Sequence, residues 1–295
     1  GAIRIKDLPK LCKADGMPAL ALTDSGNLFG ALEFSEVLAG AGIQPIVGCT
    51  LPVLLDETDE PGRGAGREIF GTLALVNASE RAGIRRFVMI STDKAVRPSS
   101  VMGATKRLAE LIVKSRSGGG TRFVSVRFGN VLGSNGSVVP IFERQIRNGG
   151  PVTVTHPEMR RYFMTIPEAS QLVLQAMALG TSDEIFVLDM GSPVRIGDLA
   201  RSLIALHGKT PGRDIALEYT GLRPGEKLFE ELYLSDENLI RTVHERILVL
   251  KGDPVDRAWV EGWLTVLRKH STTEASEMRE ILRGILPDYA PTDGP

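Results

Sequence analysis

The sequence predicts an α/β chain organised on a parallel sheet, and three observations carry that expectation. Short apolar runs, RRFVMIST (85–92), TRFVSVRFGN (121–130) and EIFVLDM (184–190), read as strands buried on both faces. Stretches with helical spacing of their apolar residues separate them, so each strand is followed by a candidate crossover helix. The chain has 295 residues, 42% hydrophobic and 24% charged, which suits one large α/β domain or two smaller ones.

In chain order, KDLPKLCKADG predicts a short helix ended by Gly16, and PALALT an apolar strand. SGNLFGALEFSEVLAGAG predicts a second helix and QPIVGC a second strand, which makes residues 1–55 a βαβ-like piece. DETDEPGRGAGRE (56–68) is acidic, then glycine-rich, and reads as a linker. The pattern restarts at residue 69. FGTLALVNASERAG is helical, RRFVMIST a strand, SSVMGATKRLAELIVKS a helix and TRFVSVRFGN a strand. PEASQLVLQAMALG is helical, EIFVLDM a strand, IGDLARSLIALHG a helix and DIALEYTG an extended segment. From about residue 254 the tail is helical, with Ser271 and Glu274 spaced as a capping box before EMREILRGIL.

Composition excludes several classes of function. A formal net charge of −1 gives no electrostatic case for a nucleic-acid or membrane-surface partner. Cys12 and Cys49 stand far apart without a CxxC, which argues against a disulfide framework or a zinc ribbon. No apolar run approaches the ~18 residues of a membrane span and no signal peptide is visible, so a soluble, cytoplasmic chain is expected. The chain opens on GAIRIKDL without a Met, which points to further sequence upstream.

STDKAVRPSSVMGATK (91–106) is the stretch that carries chemistry. Parallel sheets place ligands at the carboxyl ends of their strands, and Ser91, Thr92, Asp93 and Lys94 follow directly on one. Met102 and Lys106 lie four apart on the next helix and share a face. A hydroxyl, a carboxylate and two amines then converge, which suits proton transfer beside a hydride acceptor. Read alone, the same residues also describe a solvated loop in front of a lysine-bearing helix, with Met102 as a core filler.

The text that follows narrows the reading. VRFGNVLGSNGSVVPIFERQIRNGGPVTVTHPEMRRYFMTIPEASQLVLQA, EIFVLDMGSPVRIGDLA and YTGLRPGEKLFEEL closely resemble the polysaccharide-biosynthesis (CapD-type) nucleotide-sugar 4,6-dehydratases, which are extended short-chain dehydrogenase/reductases. The resemblance covers residues 69–250. It implies a Rossmann-like parallel sheet, here truncated, over 69–192, with a smaller α/β substrate-binding region and helical tail over 193–295.

The resemblance also implies roles. Thr92 would hydrogen-bond the C4 oxygen of the sugar, Asp93 would protonate the departing C6 hydroxyl, and Lys94 would take the C5 proton. A lysine serves as a base only if burial or a neighbouring cation, such as Lys106, brings its pKa well below ~10.4. Lys106 would contact the nicotinamide ribose of NAD(P), with Ser91, Phe128 and Gly129 also on the cofactor side. Met102 occupies the slot where short-chain dehydrogenases place a proton-abstracting Tyr, and larger members of the family carry Met there. For a UDP-N-acetylhexosamine substrate, Asn130 and Ser134 would reach sugar or phosphate oxygens, and Pro151–Thr155, with Thr153 and Thr155, would lie against the uracil. Arg161 and Arg223 are the phosphate partners, because a guanidinium fork matches diphosphate geometry, and Glu226 orients Arg223.

Two features depart from the family. No G-x-G-x-x-G is present to hold a pyrophosphate at a helix N-terminus; GRGAG (62–66) comes nearest, but Arg67 fills the third slot. Glu68 stands where the family usually has Asn. Residues 1–55 resemble instead a fragment of the PHP domain of the bacterial DNA polymerase III alpha subunit. No His precedes His156, so that segment lacks the family's metal ligands and no metal site is expected. A non-catalytic UDP-sugar-binding chain and a polymerase-fragment fusion stand as alternatives, and an uncovered sheet edge would favour a homo-oligomer.

Overall fold

A computed structural model describes residues 5–14, 16–17, 19–25, 31–50, 64–116, 118–134, 137–181, 183–234, 237–270 and 275–291. It divides into two compact units, Gly1–Asp59 and Glu60–Pro295.

In the first unit a 3-10 turn leads into α1 (Leu8–Ala14), followed by β1 (Ala19–Ser25), α2 (Ala31–Gly40) and β2 (Gln44–Thr50). β1 and β2 pair in parallel, with Ala19 opposite Gln44 and Ser25 opposite Thr50. Parallel neighbours need a crossover, and α2 supplies it, as the βαβ-like pattern predicts. Phe34 and Leu38, four apart on one face of α2, form a small core with Cys12 and Ile43.

The second unit begins with α3 (Gly64–Arg81), β3 (Arg86–Ile90), α4 (Val101–Lys114), β4 (Arg122–Arg127) and β5 (Asn130–Val131). It continues with α5 (Val138–Arg147), β6 (Val152–Val154), β7 (Arg160–Arg161), β8 (Phe163–Met164), α6 (Ile166–Leu179) and β9 (Glu184–Leu188). β10 (Val194–Arg195), α7 (Ile196–Leu206), β11 (Leu217–Tyr219), β12 (Leu239–Arg241), β13 (Ile247–Leu250), α8 (Arg257–Lys269) and α9 (Ala275–Ile285) complete it. The main sheet has the order β12-β13-β9-β4-β3, with β3, β4 and β9 parallel and β13 antiparallel to β9. β4 is covered on both faces. Val124 and Val126 pack in one core with Leu172 and Ala176 of α6, while Arg127, out of phase with them, pairs with Glu110 of α4.

Four elements differ from the sequence reading. α3 starts at Gly64, so the last five residues of the expected 56–68 linker are helical. Burial of Ile69 and Phe70 and the pairing of Glu68 with Lys106 outweigh the low helix propensity of its glycines. α5 was hidden by Pro140, which is tolerated because it falls in the first turn, where backbone N–H groups have no intrahelical partner. β12 and β13, from beyond residue 193, extend the main sheet. A second core lies apart from the sheet, where Phe142 and Ile146 of α5 meet Val152, Val154, Ile196, Ala200 and Ile204. The capping-box pair Ser271 and Glu274 lies outside the described residues.

Candidate active site

The strip begins where β3 ends. Ser91 N donates to Val126 O at 2.8 Å and Asp93 N to Phe128 O at 3.3 Å, so the sheet ladder carries on into the strip. Thr92 is extended (φ −150°) and caps a 3-10 turn over Asp93–Ala95. α4 follows, capped by Ser100, whose Oγ accepts from Gly103 N at 3.2 Å. A Cβ on Gly103 would stand 2.3 Å from Lys94 O, so only glycine lets the helix press against the Asp93–Ala95 turn. The glycine of MGATK is there for close packing.

Beneath the strip lies a buried charge network. Ser91 Oγ donates to Glu110 Oε1 at 2.6 Å, and the Arg127 fork holds both Glu110 oxygens at 2.7 Å. Arg107 Nη1 adds a bond at 3.0 Å. Burial pushes the Glu110 carboxyl up, but the Arg127 guanidinium more than offsets it and holds the group at about 2.

The RPGEKL segment docks on the strip from the other side. Gly225 has φ +75°, and a Cβ there would meet Ser99 O and Ser100 Cβ at 3.0 Å each. Ser99 Oγ donates to Gly225 O at 2.8 Å and Lys227 Nζ to Val96 O at 2.6 Å. Glu226 Oε2 accepts from Arg223 N at 3.1 Å, and Thr155 Oγ1 donates to Glu226 Oε1 at 3.3 Å. The same segment delivers Glu230, a residue the sequence reading missed. Its only local signal is the first acid of KLFEE, four residues after Glu226.

Glu230 and Asp93 enclose Lys94. Lys94 Nζ donates to Asp93 Oδ1 at 3.1 Å and to Glu230 Oε1 at 3.1 Å, and Thr92 Oγ1 donates to Asp93 Oδ1 at 2.6 Å. Asn130 Nδ2 donates to Glu230 Oε2 at 3.0 Å and Arg161 Nε pairs with Glu230 Oε1 at 3.0 Å. Burial pushes Lys94 down, yet the Asp93 and Glu230 carboxylates raise it above the ordinary lysine value. The expected fall does not occur here: Lys106, which was to supply a repelling charge, is itself paired with Glu68. Burial raises Asp93, but Lys94 beside it leaves the carboxyl below its usual range. Burial and the neighbouring Asp93 push Glu230 up to about 7.

Fourteen of the fifteen expected positions line one cavity of about 710 Å³. Ser91, Thr92, Lys94, Met102 and Lys106 form one wall, and Phe128, Gly129, Asn130 and Ser134 another. Thr153, Thr155, Arg161, Arg223 and Glu226 complete it. Asp93 lies just beneath, 1% exposed. Met102 is half-exposed on the cavity wall and not a core filler. Several side chains are already engaged by the protein. Asn130 also donates to Tyr162 O at 3.2 Å, Ser134 Oγ donates to Val131 O at 2.9 Å, and Gln145 Nε2 donates to Thr153 Oγ1 at 2.8 Å.

The two arginines differ. Arg161 spends its remaining donors on the carbonyls of Arg160 (2.8 Å), Leu228 (3.3 Å) and Lys227 (2.9 Å), so it clamps the 226–230 segment and offers no open fork. Arg223 is exposed, and among the described residues no ion-pair partner engages its side chain. Arg223 is therefore the guanidinium this arrangement leaves for an anion.

The residues present fit one end of an NAD molecule. Ser91, Met102 and Lys106 line the cavity on the side where the nicotinamide ribose is expected. Among the described residues, however, β3 is the last strand at that edge of the sheet. Among the described residues no group of three potential ligands could hold a metal, and no helix is long and apolar enough to cross a membrane.

A family model described as polysaccharide biosynthesis protein matches residues 58–252. The chain belongs to this family. It is 57% identical over 195 residues to the capsular polysaccharide biosynthesis protein CapD of Staphylococcus aureus, covering 65% of this chain and 32% of that one. It is 53% identical over 200 residues to the probable polysaccharide biosynthesis protein EpsC of Bacillus subtilis (strain 168), covering 68% and 33%. The chain thus spans about a third of the length of these relatives. Among solved structures it is similar to Pen from Bacillus thuringiensis, with a TM-score of 0.63 and 27% identity over 81% of this chain and 83% of that one. The dTDP-glucose 4,6-dehydratase DesIV from Streptomyces venezuelae, solved with NAD and TYD, shares the fold at a TM-score of 0.53 and 16% identity, over 78% and 84% of the chains. The matched region of the polysaccharide biosynthesis family contains the whole cavity wall, from the strip to RPGEKL.

Proposed function

We propose that the chain binds a UDP-N-acetylhexosamine and carries the catalytic strip of a nucleotide-sugar 4,6-dehydratase for surface-polysaccharide synthesis. One observation carries this reading: the Thr92-Asp93-Lys94 turn and the exposed Arg223 face a single cavity of about 710 Å³, a size that suits a nucleotide sugar. Arg223 meets the diphosphate, and the Pro151–Thr155 stretch receives the uracil. Thr92 lies at the sugar with Asp93 behind it; Asp93 is ionised at rest, so it must first take up the proton with which it turns the C6 hydroxyl into water. Lys94 is protonated at rest, so it takes the C5 proton only after giving up its own. NAD, held at its nicotinamide end by Ser91 and Lys106, would supply the hydride acceptor. Met102 has no proton to give and shapes that wall.

A second reading, recognition of the UDP-sugar without turnover, is favoured by the Lys106–Glu68 pair and by the position of β3 at the sheet edge. Calorimetric titration with NAD, in the presence and absence of UDP-N-acetylglucosamine, separates the two. The dehydratase reading expects NAD to bind and a 4-keto-6-deoxy sugar to form. A protein that binds the UDP-sugar and never NAD takes the second reading, and one that binds neither refutes both.

A further inference from the structure

Glu230 has no part in the reaction described above, yet side chains from three other elements bind its carboxyl. Asp93 and Lys94 face it from the 3-10 turn, Asn130 from β5 and Arg161 from β7, with Tyr162 next to Arg161 and Glu226 and Lys227 on its own segment. Its Oε1 accepts from Lys94 and Arg161 at 3.1 and 3.0 Å, and its Oε2 from Asn130 at 3.0 Å. Three contacts reach it from three different elements, the 3-10 turn, β5 and β7, so the carboxyl is fixed in place.

A second observation points at the same spot. Asp93 is 1% exposed; its Oδ1 accepts from Thr92 and Lys94, but its Oδ2 is buried and has no hydrogen-bond donor among the described residues. A buried carboxylate oxygen without a donor is costly. Two adjacent carboxylates have no donor between them while both are ionised; one proton on the pair supplies it. Protonation of Glu230 would give Asp93 its missing hydrogen bond.

We propose that Asp93 and Glu230 act as one acid, in which Glu230 holds a shared proton against Asp93 Oδ2 and is the positioning residue that recharges Asp93. The proposal deepens the dehydratase reading and rests on it for the role of Asp93. As the C6 hydroxyl departs, the one shared proton moves from Glu230 to Asp93 Oδ2 and Asp93 passes it to the hydroxyl, which leaves as water; both carboxylates are then ionised, with a negative charge on Glu230. Lys94 and Arg161 already donate to Glu230 Oε1 and stabilise that charge. Solvent then returns one proton to Glu230.

The test is a carbon-13 carboxyl titration of the full chain labelled at Glu and Asp. One Glu resonance should titrate near 7, far from the ordinary glutamate value, and E230Q should remove it. D93N removes the like charge and should bring the Glu230 midpoint down by about one pH unit or more. D93N reads Glu230 directly, so it decides the matter even if E230Q does not fold. A wild-type protein with no glutamate titrating near neutrality, or a D93N protein with an unmoved Glu230 midpoint, overturns the shared acid. Saturating UDP-N-acetylglucosamine should also shift the Glu230 resonance. Calorimetric binding without that shift refutes the role in the site, whereas absence of binding refutes the dehydratase reading and leaves the titration result to stand by itself.

Discussion

Glu110 and Glu230 are both buried glutamates of the second unit, and what faces each one sets its behaviour with pH. Glu110 is held at about 2 by the Arg127 fork, against an ordinary value of 4.5. Its contribution to stability is therefore in place above about 4.5 and is lost as the pH falls toward 2. Glu110→Ala leaves Arg127 buried without its partner and should cost about 3–5 kcal/mol in urea unfolding at pH 7; a loss below about 1 kcal/mol would show that the network is not holding the strip. Glu230 runs the other way. Raised from 4.5 to about 7, it contributes stability that is complete below 4.5 and is lost as the pH rises through 7. E230Q should flatten the fall in stability between those values, and an unchanged curve would mean that Glu230 titrates normally. Neither partner was legible at this scale: Glu230 reaches Lys94 across 136 positions of chain, and Arg161 shows its carbonyl clamp only once Lys227 and Leu228 are folded beside it.

At the scale of elements, packing against the catalytic turn explains much of the strip. α4 is amphipathic, with Leu108, Ala109 and Ile112 buried, and its N-terminus stands on the Lys94 carbonyl through Gly103. Gly103→Ala should destabilise the protein by about 1–3 kcal/mol through overpacking and weaken UDP-sugar binding as well, because the Lys94 turn must shift. Gly262→Ala is the contrasting case. A Cβ there meets nothing within 4 Å in the middle of α8, so the change should stabilise by about 1 kcal/mol. Thermal unfolding of both variants checks the opposite signs. The strands and helices with strong periodicity were legible, β3, α4, β4, α6, β9 and α7 among them. α5 was not, since Pro140 reads as a breaker until its place in the first turn is known. β12 and β13 were hidden as well, being short segments stabilised by antiparallel pairing with β9 and with each other.

At the scale of the molecule, every residue of the cavity belongs to the unit Glu60–Pro295, and the first unit has its own small core. A chain of residues 60–295 should bind UDP-N-acetylglucosamine as the full chain does; a tenfold weaker affinity would show that the first unit contributes to the site. The division between the two units, after Asp59, falls inside the acidic and glycine-rich stretch 56–68. The edge position of β3 was not legible, because strand order is a tertiary property that the missing glycine-rich motif alone does not fix. What sequence left open was which of the two cavity arginines is held in ion pairs, a property of tertiary contacts: Arg161 pairs with Glu230 and Glu226, and among the described residues Arg223 has no such partner.

The central claim is that the cavity under the Thr92-Asp93-Lys94 turn receives a nucleotide sugar through Arg223. Calorimetric titration of the full chain and of Arg223→Ala with UDP-N-acetylglucosamine tests it most directly. The account predicts saturable one-site binding that weakens at least about tenfold in the variant, as loss of a charge-assisted phosphate contact requires. No binding by the wild-type chain, or equal binding by both, would contradict it.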